Sequence, residues 1–247
     1  MIKITGLTVK YGVRTIIDNI DLEVNKVETL VVMGLSGMGK STILKSLIGL
    51  LKPSSGQIFI MQQDVTKLNS NKFDKIRKRM GMVFQSGALF DSLNIGENVA
   101  FGLREHKKLK EEEIQKIVSE KLSIVDLEGK ELYMPSQLSG GMQKRASLAR
   151  TIATDPEIIL YDEPTTGLDP IMSCAISNLI IELRNKYKVT SVVVTHDLQS
   201  AFSIADKIAM LYRGKIIEVS KPEDFRNSKN PIVRQFVEGS VQGPIKV

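Results

Sequence analysis

One stretch limits the possible folds of this chain more than any other. It is "VVMGLSGMGKSTILKSLIG", residues 31–49. A β-branched apolar run suited to a strand buried on both faces gives way to glycines. The stretch then continues as a helix, with Ile43, Leu44, Leu47, Ile48 and Leu51 on one face. Between strand and helix, "GLSGMGKS" from Gly34 to Ser41 fits the pattern G-x-x-x-x-G-K-[ST]. Phosphate chemistry accounts for each residue type. Glycines let successive backbone N–H groups turn inward. The positive end of the following helix points at the same place. Lys40 can reach the outer phosphates, and the Ser41 hydroxyl can ligate Mg2+. The candidate cradle for a nucleotide triphosphate is therefore Gly34, Leu35, Ser36, Gly37, Met38, Gly39, Lys40, Ser41 and Thr42.

Binding phosphate is not hydrolysing it, and "IILYDEP" offers the missing groups. Ile158 to Tyr161 read as a buried strand that delivers Asp162 to its carboxyl end, where ligands sit in open α/β sheets. Asp162 is placed to hold Mg2+, directly or through water. Glu163 comes next, pointing to the other face of the pleat or into the loop beyond. It is the candidate to orient and deprotonate the attacking water. His196 ends another apolar strand, "SVVVTH", and beside a phosphate cradle it could sense the γ-phosphate. Gln85 ends "MGMVFQ", and its amide could complete a Mg2+ or water contact. His106 lies in a charged helical stretch and reads as an ordinary surface residue.

The rest of the chain fits an α/β core. "MIKITGLTVKYG" and "TIIDNIDLEV" alternate like half-buried strands. "EIILYDEP" and "VTSVVVTHD" read as buried strands flanking the helical "PIMSCAISNLIIELRNKY". "DKIAMLYRGKIIEVS" reads as a hairpin turning at Arg213-Gly214. Residues 86–154 are mostly helical and more charged, with "LREHKKLKEEEIQKIVSEKL" as one solvated amphipathic helix. Strand-helix alternation interrupted by a helical insert predicts an α/β core with a helical subdomain. The 34 basic and 28 acidic residues leave a mild +6, which discriminates little among partners. Cys174 is the single cysteine, so no internal disulfide forms; it reads as a small buried apolar residue in a reducing compartment. No apolar run reaches the roughly 18 residues that span a bilayer, so a membrane role would come through a partner.

"QLSGGMQKRASLARTIATDPEIILYDEPTTGLDP" closely resembles the nucleotide-binding subunits of ABC transporters. "LSGGM", Leu138 to Met142, is similar to the signature motif of that family, usually LSGGQ, with methionine in the fifth place and Gln143 after it. "TTGLD", Thr165 to Asp169, resembles the D-loop. By the same resemblance Gln85 falls on the Q-loop, His196 on the switch histidine, and Tyr11 on the aromatic that stacks on adenine. The motifs keep family order and spacing to about residue 220.

The resemblance implies a P-loop NTPase core with a mixed sheet, an N-terminal antiparallel β subdomain and an inserted helical subdomain. The boundaries would be 1–85 and 155–220 for the core, 86–154 for the helical insert, and 221–247 for a tail. It implies ATP and Mg2+ as ligands, with Ser41, Gln85 and Asp162 toward the metal. Ser139 caps a glycine-opened helix, so Ser139, Gly140 and Gly141 make a second anion site. In ABC proteins two copies face head to tail and each signature closes on the other's ATP, near Asp169.

"FQSGALFDSLNIGENVAFGLREH" and the ending "VRQFVEGSVQGPI" are similar to the ATPases of MCE/Mla phospholipid transporters. That implies a membrane permease of the MlaE type, an MCE protein of the MlaD type and a STAS-domain protein of the MlaB type, with the chain peripheral on the cytoplasmic face of the inner membrane. No nucleic-acid partner is expected. Ala88, Leu89, Phe90, Leu93 and Ile95 would touch the permease or pack the helical subdomain. Ile232, Val233, Phe236 and Val237 would dock on a partner or fold back. Two rivals stand: an ATPase for a polar solute such as an amino acid, and a non-transport mechanoenzyme.

Overall fold

The structure is a computed structural model that describes residues 1–246, and the chain forms two compact units, residues 1–73 with 190–247 and residues 74–189.

In the first unit, β1 (Ile2–Tyr11), β2 (Arg14–Val24) and β3 (Thr29–Met33) precede α1 (Lys40–Leu47), β4 (Ser55–Ile60) and β5 (Gln63–Asp64). The chain passes into the second unit within α2 (Ser70–Arg77). The second unit runs through β6 (Met80–Val83), α3 (Ile95–His106), α4 (Glu111–Ile124), α5 (Gly140–Ile152), β7 (Ile158–Asp162) and α6 (Pro170–Tyr187). The first unit resumes with β8 (Thr190–Thr195), α7 (Leu198–Ile204), β9 (Lys207–Tyr212), β10 (Lys215–Ser220), α8 (Pro222–Arg226) and α9 (Pro231–Glu238).

Two sheets build the first unit. One is antiparallel in the order β2-β1-β4-β5. Its strands alternate as the sequence pattern requires, with Ile2, Ile4, Leu7 and Val9 turned inward. The other is mixed: β3 lies parallel between β8 and β9, and β10 closes antiparallel on β9. All residues of β3 and of β8 are buried, which fits their apolar centres, residues 30–33 and 192–194. The β9–β10 hairpin turns at Arg213 and Gly214, with φ of 48° and 79°, both in the left-handed region that suits a tight hairpin.

α1 stops earlier than its apolar pattern. Ile43, Leu44 and Leu47 are buried, but Gly49 turns left-handed at φ 72° and the Leu50 N–H bonds back to the Lys45 carbonyl at 2.9 Å. That closure ends the helix at Leu47 and leaves Leu51 outside it. The tail folds back on its own unit. Val233 is fully buried, and the Gln235 amide accepts from the Ile245 N–H at 2.6 Å and donates to the Ile245 carbonyl at 3.0 Å.

In the second unit, β6 and β7 pair in parallel, from Met80 opposite Ile158 to Val83 opposite Tyr161. α3, α4 and α5 pack together through Val99, Leu103, Val118, Leu122, Ala146 and Leu148, all fully buried. The single helix expected over "LREHKKLKEEEIQKIVSEKL" is two. Its break, residues 107–110, carries three lysines, and Glu113 caps α4 by accepting from the Lys110 N–H at 2.8 Å. Like charges at adjacent turns disfavour continuing α3, while a capped restart is favourable. Cys174 is exposed, not buried. The inward stripe of α6 is Ile176, Leu179, Ile180 and Leu183, and position 174 falls outside it.

Candidate active site

The candidate phosphate cradle belongs to the first unit. β3 ends at Met33, and the loop 34–39 turns straight into α1. Gly39, which caps that helix, sits at φ 96°, and a Cβ there would come 2.8 Å from Cγ2 of Ile16. Gly37 has φ 77° with open space around its Cα. Glycine takes these left-handed positions without strain, which leaves backbone N–H groups of the loop able to turn toward a phosphate. Lys40 is buried, and its Nζ donates to the carbonyls of Gly34 at 2.8 Å and Leu35 at 3.2 Å. The ammonium thus curls over the loop it follows. Ser41 is half-buried and Thr42 buried. In the same unit, Tyr11 ends β1 with its ring about half exposed (48%), and His196 is exposed just past β8. Asp197 then caps α7, accepting from the Gln199 N–H at 3.0 Å.

The acidic pair belongs to the second unit. Asp162 is the last residue of the fully buried β7, and Asp162 and Glu163 are both 8% exposed. Glu163 departs from strand geometry, with φ 48°. A left-handed turn at a non-glycine residue costs about 1–2 kcal/mol. It takes Glu163 into the loop beyond the strand, where its Oε2 accepts from the Thr166 hydroxyl at 3.2 Å. Asp169 is exposed and caps α6 by accepting from the Met172 N–H at 3.0 Å.

The signature segment lies in the second unit as well. Ser139 caps α5, its Oγ accepting from the Met142 N–H at 3.3 Å, and Gly140 is exposed at the helix mouth. Gly141 is buried against Met172. Gln143 does not stand in for the usual glutamine of the motif. Its amide donates to the carbonyls of Pro135 at 2.9 Å and Leu138 at 3.2 Å, which rigidifies the turn before the cap. Gln85 is exposed past the end of β6, and its carbonyl accepts from Lys144 Nζ.

Sequence reasoning passed over Lys144 and Arg150, both of which reach the loop after β6 from α5. Their spacing from Ser139 placed them on that helix, but nothing local revealed what the helix faces. The apolar residues after Gln85 divide. Ile95 is fully buried, whereas Phe90 is 42% exposed and stacks on the equally exposed Phe101 at 4.8 Å. Buried Asn98 shapes that segment, accepting from the Phe90 N–H at 2.7 Å and donating to the carbonyls of Phe90 and Leu93.

The family described as "ABC transporter" matches residues 17–166, an interval that holds the cradle, the signature segment and the acidic pair. The chain belongs to the ABC transporter family. Its relatives include the Haemophilus influenzae "Intermembrane phospholipid transport system ATP-binding protein MlaF", 44% identical over all of this chain and 93% of that protein. The Mycobacterium leprae "Probable ribonucleotide transport ATP-binding protein mkl" is 43% identical over 99% of this chain and 70% of its own length. Among solved structures, the dimeric post-hydrolysis ATP-binding cassette MJ0796 bound to ADP and Pi aligns with a TM-score of 0.83 at 34% identity, over 90% of this chain and 99% of that one. The cbiO1 cassette of Clostridium perfringens aligns with a TM-score of 0.85 at 28% identity, over 95% and 93%. The cassette fold expected from the sequence is therefore the fold of this chain.

Proposed function

We propose that this chain is the ATP-binding and ATP-hydrolysing subunit of an ABC transporter for phospholipid. The observation that carries the reading is the loop 34–39, whose left-handed glycines and buried Lys40 form an anion cradle at the start of α1. Tyr11 offers a half-exposed ring for adenine. Lys40 exchanges the loop carbonyls for the β- and γ-phosphates, a charge-assisted contact stronger than the one it gives up.

Ser41, Asp162 and Gln85 offer hydroxyl, carboxylate and amide oxygens, the hard donors that Mg2+ takes, and the metal would neutralise phosphate charge. Among the described residues no His/Cys/Asp/Glu cluster could hold a metal by itself, which fits an ion whose remaining ligands are phosphate and water. Glu163 orients the attacking water and takes its proton, while His196 contacts the γ-phosphate. Ser139 and Gly141 of a second copy supply amides to the same phosphate, near Asp169. The dimeric cassette MJ0796 supports a paired arrangement.

The phospholipid assignment is supported by the full-length match to MlaF proteins. No described helix is long and apolar enough to cross a membrane. By its likeness to the MlaF proteins, the chain would work peripherally on the cytoplasmic face of the inner membrane, against a permease of the MlaE type. Phe90 and Phe101 form an exposed apolar pair suited to that contact. An MCE protein of the MlaD type and a STAS-domain protein of the MlaB type complete the assembly.

Purification of the tagged chain in mild detergent, with subunits and lipids identified by mass, tests the reading. A permease, an MCE protein and phospholipid are expected. A soluble solute-binding protein without lipid would overturn the phospholipid assignment in favour of a polar solute.

A further inference from the structure

The loop that follows β6 is held by side chains of α5, not by a neighbouring strand. Ser147 Oγ donates to the Gly87 carbonyl at 2.9 Å. Arg150 donates to Gly87 at 3.0 Å and to Ala88 at 2.6 Å. Lys144 Nζ donates to the Gln85 carbonyl. Positions 144, 147 and 150 are three apart and share one helix face. The turn they clasp is tight, with Gly87 at φ 77° and Ala88 at φ 47°.

Within this ladder Lys144 is distinctive. It is 7% exposed, it sits in the first turns of the helix that Ser139 caps, and it grips Gln85 itself. A neutral donor would satisfy one carbonyl at lower desolvation cost than a buried ammonium. Burial pushes the Lys144 amine below its ordinary value, while the carboxylates of Glu163 and Asp162 work in the opposite direction. The charge therefore lies within the field of the acidic pair.

We propose that Lys144 is a positioning residue for ATP hydrolysis, pinning the backbone of Gln85 to the first turns of the signature helix so that the Gln85 side chain and the Ser139–Gly141 cap move as one piece. The proposal rests on the ATPase reading above and adds to it a residue that touches neither nucleotide nor water. A loop pinned at Gly87 and Ala88 alone would leave Gln85 free to swing about its own φ and ψ. Small misplacement of a catalytic group lowers turnover far more than it lowers ground-state binding.

Three substitutions in the full chain test this. Lys144→Met and Lys144→Leu remove both donor and charge, and Lys144→Arg keeps both. With Lys144→Met, kcat is expected to fall at least about tenfold. KM for ATP and the thermal midpoint should stay near wild type, and Lys144→Arg should restore most of the rate. Unchanged kcat in Lys144→Met overturns the proposal. So does a joint loss of kcat, nucleotide binding and thermal midpoint that Lys144→Arg fails to rescue, because that is the mark of packing alone. Should Lys144→Met fail to fold, Lys144→Leu is read by the same criteria.

Amide hydrogen exchange over residues 85–90 reads the pin without nucleotide. Faster exchange there in Lys144→Met, with residues 139–143 unchanged, is expected, and equal exchange in both proteins overturns the pin. A wild-type protein that hydrolyses no ATP with its membrane partners present would sink the ATPase reading and, with it, the role in hydrolysis. The exchange result would still decide the pin separately.

Discussion

Substituting alanine at Gly39 and at Gly37 separates backbone strain from crowding in the phosphate cradle. Both glycines are left-handed, at φ 96° and 77°. Holding an alanine there costs about 1–2 kcal/mol, offset by about 0.4–1 kcal/mol from the reduced entropy of the unfolded chain. At Gly37 nothing lies within 4 Å of the new Cβ, so the net loss is about 1 kcal/mol. At Gly39 the Cβ meets Ile16 Cγ2 at 2.8 Å and Ile17 Cδ1 at 3.0 Å. Crowding of that kind adds about 1–3 kcal/mol, bringing the loss to about 3 kcal/mol. For a chain of this size those losses lower the thermal midpoint by about 2–4 °C for Gly37→Ala and about 6–12 °C for Gly39→Ala. Circular dichroism melts measure both. Repeated at Mg-ATP a hundred times the wild-type dissociation constant, the melts should show about 2.7 kcal/mol of added stability in wild type. Little of it should remain in Gly39→Ala, whose loop cannot keep its amides in place. A Gly37→Ala loss as large as that of Gly39→Ala would refute the steric reasoning, and an undiminished ATP shift in Gly39→Ala would refute the cradle.

Lys40→Ala should weaken ATP binding by roughly a hundredfold, from the loss of charge-assisted bonds worth about 1.5–3 kcal/mol each; equilibrium titration with a fluorescent ATP analogue reads it. If, as proposed, the cap serves the other copy's nucleotide, Ser139→Arg should leave that affinity intact and abolish phosphate release; normal release would argue against a shared site. Asp155 titrates with a sign fixed by its surroundings. Burial raises its value, but Lys107 at 2.9 Å and Lys121 at 3.3 Å outweigh that and hold it below the usual carboxylate range. Its contribution is therefore present above about pH 4 and is lost as pH falls through the lowered value. In acid melts of Asp155→Asn, the stability gap to wild type should close toward low pH and stay under about 1 kcal/mol at neutrality, since the carboxylate is more than half exposed.

Features whose cause lies within a few residues could be read from the sequence. The β3–loop–α1 unit follows from apolar run, glycines and apolar face in succession. α6 begins where Asp169 and Pro170 signal a cap and a first turn, and its bounds are those of the expected helical stretch. The Arg213-Gly214 hairpin likewise follows from its turn residues. What escaped depends on distant partners or on competing local signals. The charged stretch after Arg104 satisfies helical periodicity throughout, and only the Lys110–Glu113 cap, with Arg104 reaching across to Glu111, reveals two helices. Cys174 could not be assigned to a face of α6 until the helix had neighbours. In the candidate site, cradle and acidic pair were each legible from a strand end. Lys144 and Arg150 were not, because their partners are backbone carbonyls far earlier in the chain, 59 residues for Lys144–Gln85 and 62 for Arg150–Ala88.

If Glu163 drives water onto an ATP held by the cradle and shared between two copies, removing its carboxylate should trap that ATP. Size-exclusion chromatography of wild type and Glu163→Gln with Mg-ATP, alongside phosphate release in the presence of the membrane partners, tests it most directly. Glu163→Gln is expected to run as a nucleotide-loaded dimer with phosphate release nearly abolished, while wild type releases phosphate and returns to monomer. Equal phosphate release by the two proteins would contradict it.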